Sequence, residues 1–597
     1  MPHATTPSLV DVPEDASINT LLADRVARAG SATLLERQAK AGGEWLPVSA
    51  AQFDADVLAV GRGLVAHGVE VGDRVAIMSR TRYEWTLLDF ALWAVGAVPV
   101  PVYETSSPEQ VHWILSDAGV RLAVVETPAH ADAVRHVRDR LPHLEDVLVL
   151  AGGAVRELRE AGETVTTREV VARREAVRGD DLATVVYTSG STGRPKGAEL
   201  THGNFTHVVM NARLVLPELL EADGARTVLF LPLAHVFARL IQLVAIGSGT
   251  VLGHLPDVKT LVDDLGTFRP TYLLAVPRVF EKVYNSAEQK AGHGARRRLF
   301  RWSARVSGAY SRALEAGPVP LSLRARHRVA DALVLRRLRA AMGGRLTYAI
   351  SGGAPLGDRL GHFFRGAGVT ILEGYGLTET TAPTSVNLPS DLRIGTVGPP
   401  LPGTSVRVTD DGEVLVRGPH VFRGYRGRPD LTADAVVDGW FRTGDLGVLD
   451  DGHLRITGRT KEIIVTAGGK NVAPAPLEDR LRAHPIVSQV VVVGDRRPFV
   501  GALVTLDAEM LPGWLAMEGL PPMRPSEART DERVLAALDA AATEASAGVS
   551  QAESIRKIRV LEGDFSEANG YLTPSLKVRR TAVVRDFAAD VDALYAR

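Results

Sequence analysis

Between about residues 70 and 375 the hydrophobic positions fall in short unbroken runs, separated by stretches with helical spacing. Arg74–Met78 reads as a strand, a helix follows over 85–95, and Val98–Val102 is a second strand. Ser106 and Ser107, with Pro108 and Glu109 behind them, mark a helix start leading into 111–116. Further strand candidates are Leu122–Val125 and residues 147–150, 183–187, 228–231, 272–276, 347–350 and 370–372. Strands spaced by helix-length segments predict parallel sheets covered by helices. The expected fold class is therefore α/β, as one long unit or two fused sheets. After Asn387 the texture changes. Gly412-Glu413-Val414-Leu415-Val416 and Gly452-His453-Leu454-Arg455-Ile456 alternate around tight turns, predicting a small antiparallel barrel over about 388–457. From Lys461 the pattern is mixed again, with a hairpin formed by 490–493 and Val500–Leu506 across Asp495-Arg496-Arg497-Pro498. A large domain over 1–460 and a smaller α+β domain over 461–597 are expected.

Composition narrows the chemistry. Of 597 residues, 69 are Lys or Arg and 70 are Asp or Glu, so net charge gives no argument for a nucleic-acid partner. The chain has no cysteine, which excludes a thiol nucleophile, a thiolate-held metal and a disulfide. Residues 1–15 lack the basic start and apolar run of a signal peptide, and no stretch is long and apolar enough for a membrane span. A cytoplasmic location is the expectation, with or without attachment to the inner face of the membrane.

Charge is uneven in one place. From Lys290 to Arg345 there are fourteen Lys or Arg against Glu315 and Asp331, with Leu299, Phe300, Trp302, Val306 and Tyr310 interleaved. The pattern fits a pair of solvated surface helices, and equally a basic amphipathic patch resting on anionic lipid.

The strongest local signal is Tyr187-Thr188-Ser189-Gly190-Ser191-Thr192-Gly193-Arg194-Pro195-Lys196-Gly197 at the end of a predicted strand. Its glycines allow close approach of the backbone, its hydroxyls and N–H groups offer donors to phosphate, and Lys196 adds a point charge. A P-loop is excluded by spacing, because Lys196 is followed by Gly197 rather than Ser or Thr.

This segment resembles the signature loop of the ATP-dependent adenylate-forming superfamily, which includes acyl-CoA synthetases, luciferases and peptide-synthetase adenylation domains. The resemblance extends over nearly the whole chain. It implies a fold with a large AMP-binding domain and a small mobile C-terminal domain. Thr188, Ser189, Gly190, Ser191, Thr192, Gly193 and Lys196 would hold the ATP phosphates. Ser351-Gly352-Gly353-Ala354-Pro355-Leu356 is similar to the turn that lies against adenine. In Glu373-Gly374-Tyr375-Gly376-Leu377-Thr378-Glu379-Thr380 the resemblance implies Tyr375 on adenine, Thr378 on the α-phosphate and Glu379 on Mg²⁺, with Thr188 as second metal contact. Asp445, in Trp440-Phe441-Arg442-Thr443-Gly444-Asp445-Leu446, would take the ribose hydroxyls. Arg459 would contact ribose or phosphate and Lys461 occupies the hinge. Gly468, Gly469 and Lys470 open a loop similar to one lining the thiol tunnel. Lys577, in Tyr571-Leu572-Thr573-Pro574-Ser575-Leu576-Lys577, stands at the position of the catalytic lysine, and Leu576, where many members have Gly, points to the long-chain branch.

Two more segments resemble the long-chain synthetases: Leu231-Pro232-Leu233-Ala234-His235-Val236-Phe237-Ala238-Arg239 and Pro101-Val102-Tyr103-Glu104-Thr105-Ser106-Ser107. The resemblance sets His235 at the entrance of an acyl tunnel, and the tunnel lining is expected to include Phe237, Ala245, Gly247 and Gly249. The activity implied is ligation of a long-chain fatty acid to coenzyme A using ATP and Mg²⁺. A carrier-protein acceptor, another carboxylic acid, and a nucleotide-binding regulator without turnover are the rival readings. The first is opposed by the uninterrupted run from Asp445 to Gly469, the last by the presence of Lys577, Glu379 and Asp445. Chain-length preference, a homodimer and membrane attachment are not decided by the sequence.

Overall fold

Pro99 and Pro101 mark the edge of the first sheet. They alternate with valines in the strand Val98–Val102, so their missing N–H groups face away from the neighbouring strand. The order is Val98–Val102, Arg74–Met78, Leu122–Val125, Asp146–Val149, all parallel. Helices Tyr83–Ala94 and Pro108–Ala118 carry the chain between strands. The second begins as its sequence predicts: Ser107 accepts from Gln110 N–H in a capping box, with Pro108 in the first turn. The computed structural model describes residues 1–38, 42–188, 194–257, 260–573 and 577–596.

Two further sheets follow. Arg226–Leu229, Val251–His254 and Thr33–Gln38 are parallel, with Trp45–Ser49 antiparallel beside them. Tyr272–Ala275, Tyr348–Ser351 and Thr370–Leu377 are parallel, with Ala382–Val386 antiparallel at the end. The sheets meet where Thr271 N–H donates to Arg226 O at 2.9 Å. One expected parallel strand behaves differently. Leu182–Thr188 pairs antiparallel with Lys196–Thr201, because the seven residues between them are too few for a parallel crossover, which needs about a dozen. The phosphate loop is thus the tip of a hairpin.

The barrel strands are Thr404–Val408, Glu413–Arg417, Trp440–Asp450 and His453–Arg459. Val406, Val408, Val414, Val416 and Leu454 are buried, the inward half of an alternating pattern. Asp451 (φ 47°) and Gly452 (φ 79°) form the two-residue turn that matches strand twist. A strand at the start of the chain, His3–Thr6, also joins this sheet. Its sequence, His-Ala-Thr-Thr, carries too little apolar character to predict that.

In the small domain Val487–Val493 and Val500–Leu506 form the expected antiparallel hairpin, and Ile555–Val560 adds in parallel. It docks on the large domain through charged groups. Arg278 reaches Asp507 at 2.8 Å, Lys282 reaches Glu509 at 2.9 Å, and Arg297 reaches Glu518 at 2.9 Å. Gln289 Nε2 donates to Met510 O at 3.0 Å.

Helix Tyr83–Ala94 is buried nearly all round, so its interior charge needs a partner. Asp89 accepts from Arg239 Nη2 at 2.7 Å and Gln242 Nε2 at 3.2 Å, with both ions wholly out of solvent. Removing one partner would strand the other in the core. Asp89→Ala is expected to lower the unfolding free energy by about 3–5 kcal/mol, read by denaturant titration. An unchanged transition would refute the role given to this pair.

Candidate active site

The hairpin stems are fixed from outside. Tyr187 donates its hydroxyl to Asp117 at 2.6 Å, and Trp113 Nε1 donates to Pro195 O at 2.8 Å. The guanidinium of Arg194 lies 4.7 Å above the Trp113 ring. Thr188 stands opposite Lys196 across the hairpin, and the Lys196 ammonium sits 5.1 Å from the Tyr425 ring centre. The expectations on Ser189, Gly190, Ser191, Thr192 and Gly193 lie outside the described residues, as do those on Pro574, Ser575 and Leu576.

Beside the hairpin, Gly352 and Gly374 lie on adjacent strand ends. A Cβ built on Gly352 would meet Gly374 O at 3.5 Å and the Phe237 ring at 3.7 Å, ordinary contacts that place the 235–239 segment beside this turn. Gly353 (φ 85°) and Ala354 are exposed beyond it. Gly374, Tyr375 and Gly376 belong to the strand Thr370–Leu377, which is irregular between Tyr375 and Gly376. There any side chain on Gly376 would collide with Ala382 O. Thr378, Glu379 and Thr380 form the short 3₁₀ turn that follows. The Thr380 hydroxyl accepts from Leu377 N–H at 2.9 Å and holds the turn, leaving Thr378 available for a ligand.

Asp445 gathers the next group. It is buried, accepts from the Tyr375 hydroxyl at 2.7 Å, and pairs with Arg459 Nε at 2.5 Å, its register partner across the two barrel strands. Lys577 enters this field from the small domain. Thr573 N–H donates to Lys577 O at 2.8 Å, and the bridge between Leu572 and Val578 closes the turn that presents it. Although its side chain is open to solvent, Lys577 stands in a crevice. Desolvation there, and then Arg459, lower its ammonium pKa, while Asp445, Glu379 and Glu462 pull it up. His235 feels the same cation. Burial, then Lys577, brings its imidazole down to about 4, so it is neutral in ordinary buffers. Its Nδ1 accepts from Phe237 N–H at 3.2 Å, which leaves the proton on Nε2.

Other expected residues lie elsewhere. Lys461 is exposed in the 3₁₀ turn Thr460–Glu462. Gly468, Gly469 and Lys470 form the tip of the small-domain hairpin Ile464–Val465/Asn471–Val472, where Lys470 pairs with Glu553 at 3.2 Å. Two proposed tunnel positions are not open. The space beside Gly247 is taken by Val209, 2.8 Å from a built Cβ, so its small size serves helix packing, while Gly249, beyond the helix end, has Glu221 and Leu220 beside it. Ala245 is likewise enclosed in the core. Phe237 remains at the site. Tyr425, Trp113 and Asp117, which brace the hairpin and Glu379, were not singled out from sequence because no periodicity or motif marks them.

A divalent ion fits this cleft in one way. Among the described residues no group of three His, Cys, Asp or Glu side chains is placed to cage a metal. Glu379 and Thr188 would supply one carboxylate and one hydroxyl, a donor set suited to Mg²⁺ that arrives already bound to phosphates.

Fold and cleft together define the class, an adenylate-forming enzyme. The chain belongs to the AMP-binding enzyme family, whose model matches residues 22–426, while the AMP-binding enzyme C-terminal domain matches residues 461–597. It is 51% identical over 558 residues to the long-chain-fatty-acid–CoA ligase FadD15 of Mycobacterium bovis, covering 93% of each chain. Against long-chain-fatty-acid–CoA ligase 6 of Mus musculus it is 31% identical, over 92% of this chain and 82% of that one. The adenylation domain of a carboxylate reductase from Mycobacterium chelonae shares the fold at 23% identity, with a TM-score of 0.74 over 98% of this chain and 91% of that one.

Glu373, just before the Gly374-Tyr375-Gly376 run, is buried and accepts from Leu356 N–H at 2.9 Å, bracing the end of the 351–356 turn. Burial raises its carboxyl to about 7. A raised folded pKa gives stability that is complete below the ordinary carboxylate range and lost as pH rises through about 7. The loss is expected to reach roughly 3 kcal/mol. Glu373→Gln should flatten it, seen as denaturation midpoints whose difference from the parent grows between acidic and mildly alkaline buffer.

Proposed function

We propose that this chain is a long-chain fatty acid–CoA ligase. It converts ATP and a fatty acid to acyl-AMP and pyrophosphate, then transfers the acyl group to CoA and releases AMP. The observation that carries the reading is the entry of Lys577 from the small domain into the field of Asp445, Glu379 and His235 in the large one. A carboxylate is a poor acyl donor because oxide is its leaving group, and attack on the α-phosphate replaces oxide with AMP. Both reactants are anions, so the site must align them and offset their repulsion. The 188–197 hairpin and Lys196 hold the phosphates, Glu379 and Thr188 receive the Mg²⁺ that ATP carries, and Thr378 and Lys577 meet the α-phosphate. Gly352, Gly353, Ala354, Gly374, Tyr375 and Gly376 form the adenine site, and Asp445 with Arg459 holds ribose. Neutral His235 offers its Nε2 proton to the acyl oxygen.

CoA must then reach the carbonyl that Lys577 covers. Rotation of 461–597 against 1–460 about Lys461 withdraws that lysine and brings the 468–470 tip forward, a gating motion. Lys577→Ala is expected to slow adenylation by about 10²–10³ while largely sparing thioester formation from supplied acyl-AMP. Equal loss in both half-reactions would refute the two-position scheme. Pyrophosphate release across acids from acetate to C18, with CoA or a carrier protein as acceptor, tests the activity itself. Turnover confined to short acids, or to carrier protein, would overturn it.

A second reading concerns how the acid arrives. Among the described residues no helix is long and apolar enough to cross a membrane. The basic segment forms helices Gly294–Ala316, Leu321–Ala330 and Arg336–Ala341. Phe300 and Val306, read from sequence as part of the amphipathic face, are buried, and Tyr310 stacks on His327. Leu314, Leu321, Val329 and Leu333 are exposed instead, among the exposed arginines 312, 324, 326, 328, 336 and 337. Cationic and apolar side chains together suit an anionic lipid surface, from which a fatty acid could pass to the enzyme. Sedimentation with phosphatidylglycerol vesicles, absent with phosphatidylcholine and weakened by replacing Arg324, Arg326 and Arg328 with Ser, is the expected result. Equal binding to both vesicles would refute it.

A further inference from the structure

Tyr425 stands where side chains serving two different parts of the nucleotide meet. Its two-residue strand, Gly424–Tyr425, pairs antiparallel with the strand leaving the phosphate hairpin, Tyr425 opposite Ala198 and Gly424 opposite Glu199. Arg426 N–H donates to Gly197 O at 2.8 Å, and Arg423 N–H to Glu199 O at 2.9 Å. The same segment grips the turn that carries Glu379, because Phe422 N–H donates to Glu379 O at 2.8 Å. Phe422 meets the Tyr425 ring edge-on at 4.8 Å, and Tyr425 N–H donates to Thr432 Oγ1 at 2.9 Å, so the ring is held on several sides. From this fixed position the phenol hydroxyl donates to Glu379 Oε1 at 2.8 Å. The ring face lies under the Lys196 ammonium, 5.1 Å from its centre.

We propose that Tyr425 is a positioning residue for metal-bound ATP: its hydroxyl orients the Glu379 carboxylate for Mg²⁺ while its ring face holds Lys196 for the phosphates. The proposal rests on the reading that Glu379 receives the Mg²⁺ carried by ATP. A free carboxylate turns about its last bond and presents either oxygen. With Oε1 accepting from the phenol, Oε2 would be the oxygen left to meet an ion. Mg²⁺ demands near-octahedral geometry and takes few protein ligands, so the orientation of a lone carboxylate matters more than it would in a crowded cage. Partners that orient a metal ligand commonly change metal affinity by about 10–100-fold.

Tyr425→Phe keeps the ring, its packing and the contact with Lys196, and removes only the hydroxyl. The Mg²⁺ concentration for half-maximal activity is expected to rise about tenfold, with kcat at saturating Mg²⁺ and KM for the fatty acid little changed. Calorimetry with a non-hydrolysable ATP analogue gives a readout independent of turnover. Affinity should fall about tenfold with Mg²⁺ present and stay unchanged with the metal chelated. Tyr425→Leu, which also removes the platform under Lys196, should weaken binding in both conditions. An unaltered Mg²⁺ dependence in Tyr425→Phe would overturn the proposal, as would equal weakening with and without metal, the sign of a merely structural role. Glu379→Gln separates the two layers. If it weakens Mg²⁺-dependent binding and Tyr425→Phe does not, only the role of Tyr425 fails; if neither does, the reading of Glu379 as the metal ligand fails with it.

Discussion

Asp445 is the constraint around which the cleft is organised. A buried carboxylate must be met by donors, and here the donors are Tyr375 from the third sheet and Arg459 from the neighbouring barrel strand, with the Lys577 ammonium close enough to feel the charge. Three segments far apart in the chain are thereby tied to one anion. The ordering has an electrostatic logic, since any nucleotide brought here adds negative charge opposite the cations that Asp445 already collects. The low position of the His235 pKa follows first from burial, and then from the nearby Lys577 cation. A neutral imidazole can donate a proton to an acyl oxygen without adding another cation beside Lys577.

The loop proposed to hold phosphate does not open a helix. In a P-loop the N-terminal turn of a helix contributes its dipole, but here the loop links two antiparallel strands. The loop ends must therefore be immobilised by other means, and Trp113, Asp117 and the 422–426 segment do so through hydrogen bonds to the hairpin stems. Bracing from both sides fixes where the two stems begin and end, and those stems are largely buried in the sheet.

Much of this was legible in the chain because the chemistry requires unusual residues in unusual places. Glycine runs, a Thr-Glu pair and an Asp after Thr-Gly survive as local strings, and the strands of the first sheet stand out because they are buried on both faces. What escaped sequence reading depends on neighbours that are remote in sequence. Leu182–Thr188 looked like one more strand in a parallel series, and its antiparallel partner Lys196–Thr201 was not marked as a strand. His3–Thr6 has no hydrophobic pattern, yet it completes a sheet with residues some four hundred positions away. Arg239 follows the His235 segment in the sequence, but its partner Asp89 is in another helix, and no spacing rule joins them. Phe300 and Val306 were correctly apolar and wrongly faced, since a helix rich in arginine still needs an inward stripe. Gly247 and Gly249 suggested room, and the room is occupied by Val209, Leu21, Leu220 and Glu221.

The seam between the two domains is made chiefly of charge. The apolar clusters of the large domain and those of the small one contain no shared residue, and the polar contacts across the seam include arginine, lysine, glutamine and histidine side chains meeting acids and carbonyls. Groups of that kind are nearly as comfortable in water as against each other, so parting them exposes no grease and meets little resistance. Such a seam is held most firmly in dilute buffer and loosens as dissolved ions screen it, so ionic strength rather than the protein interior sets how tightly it latches.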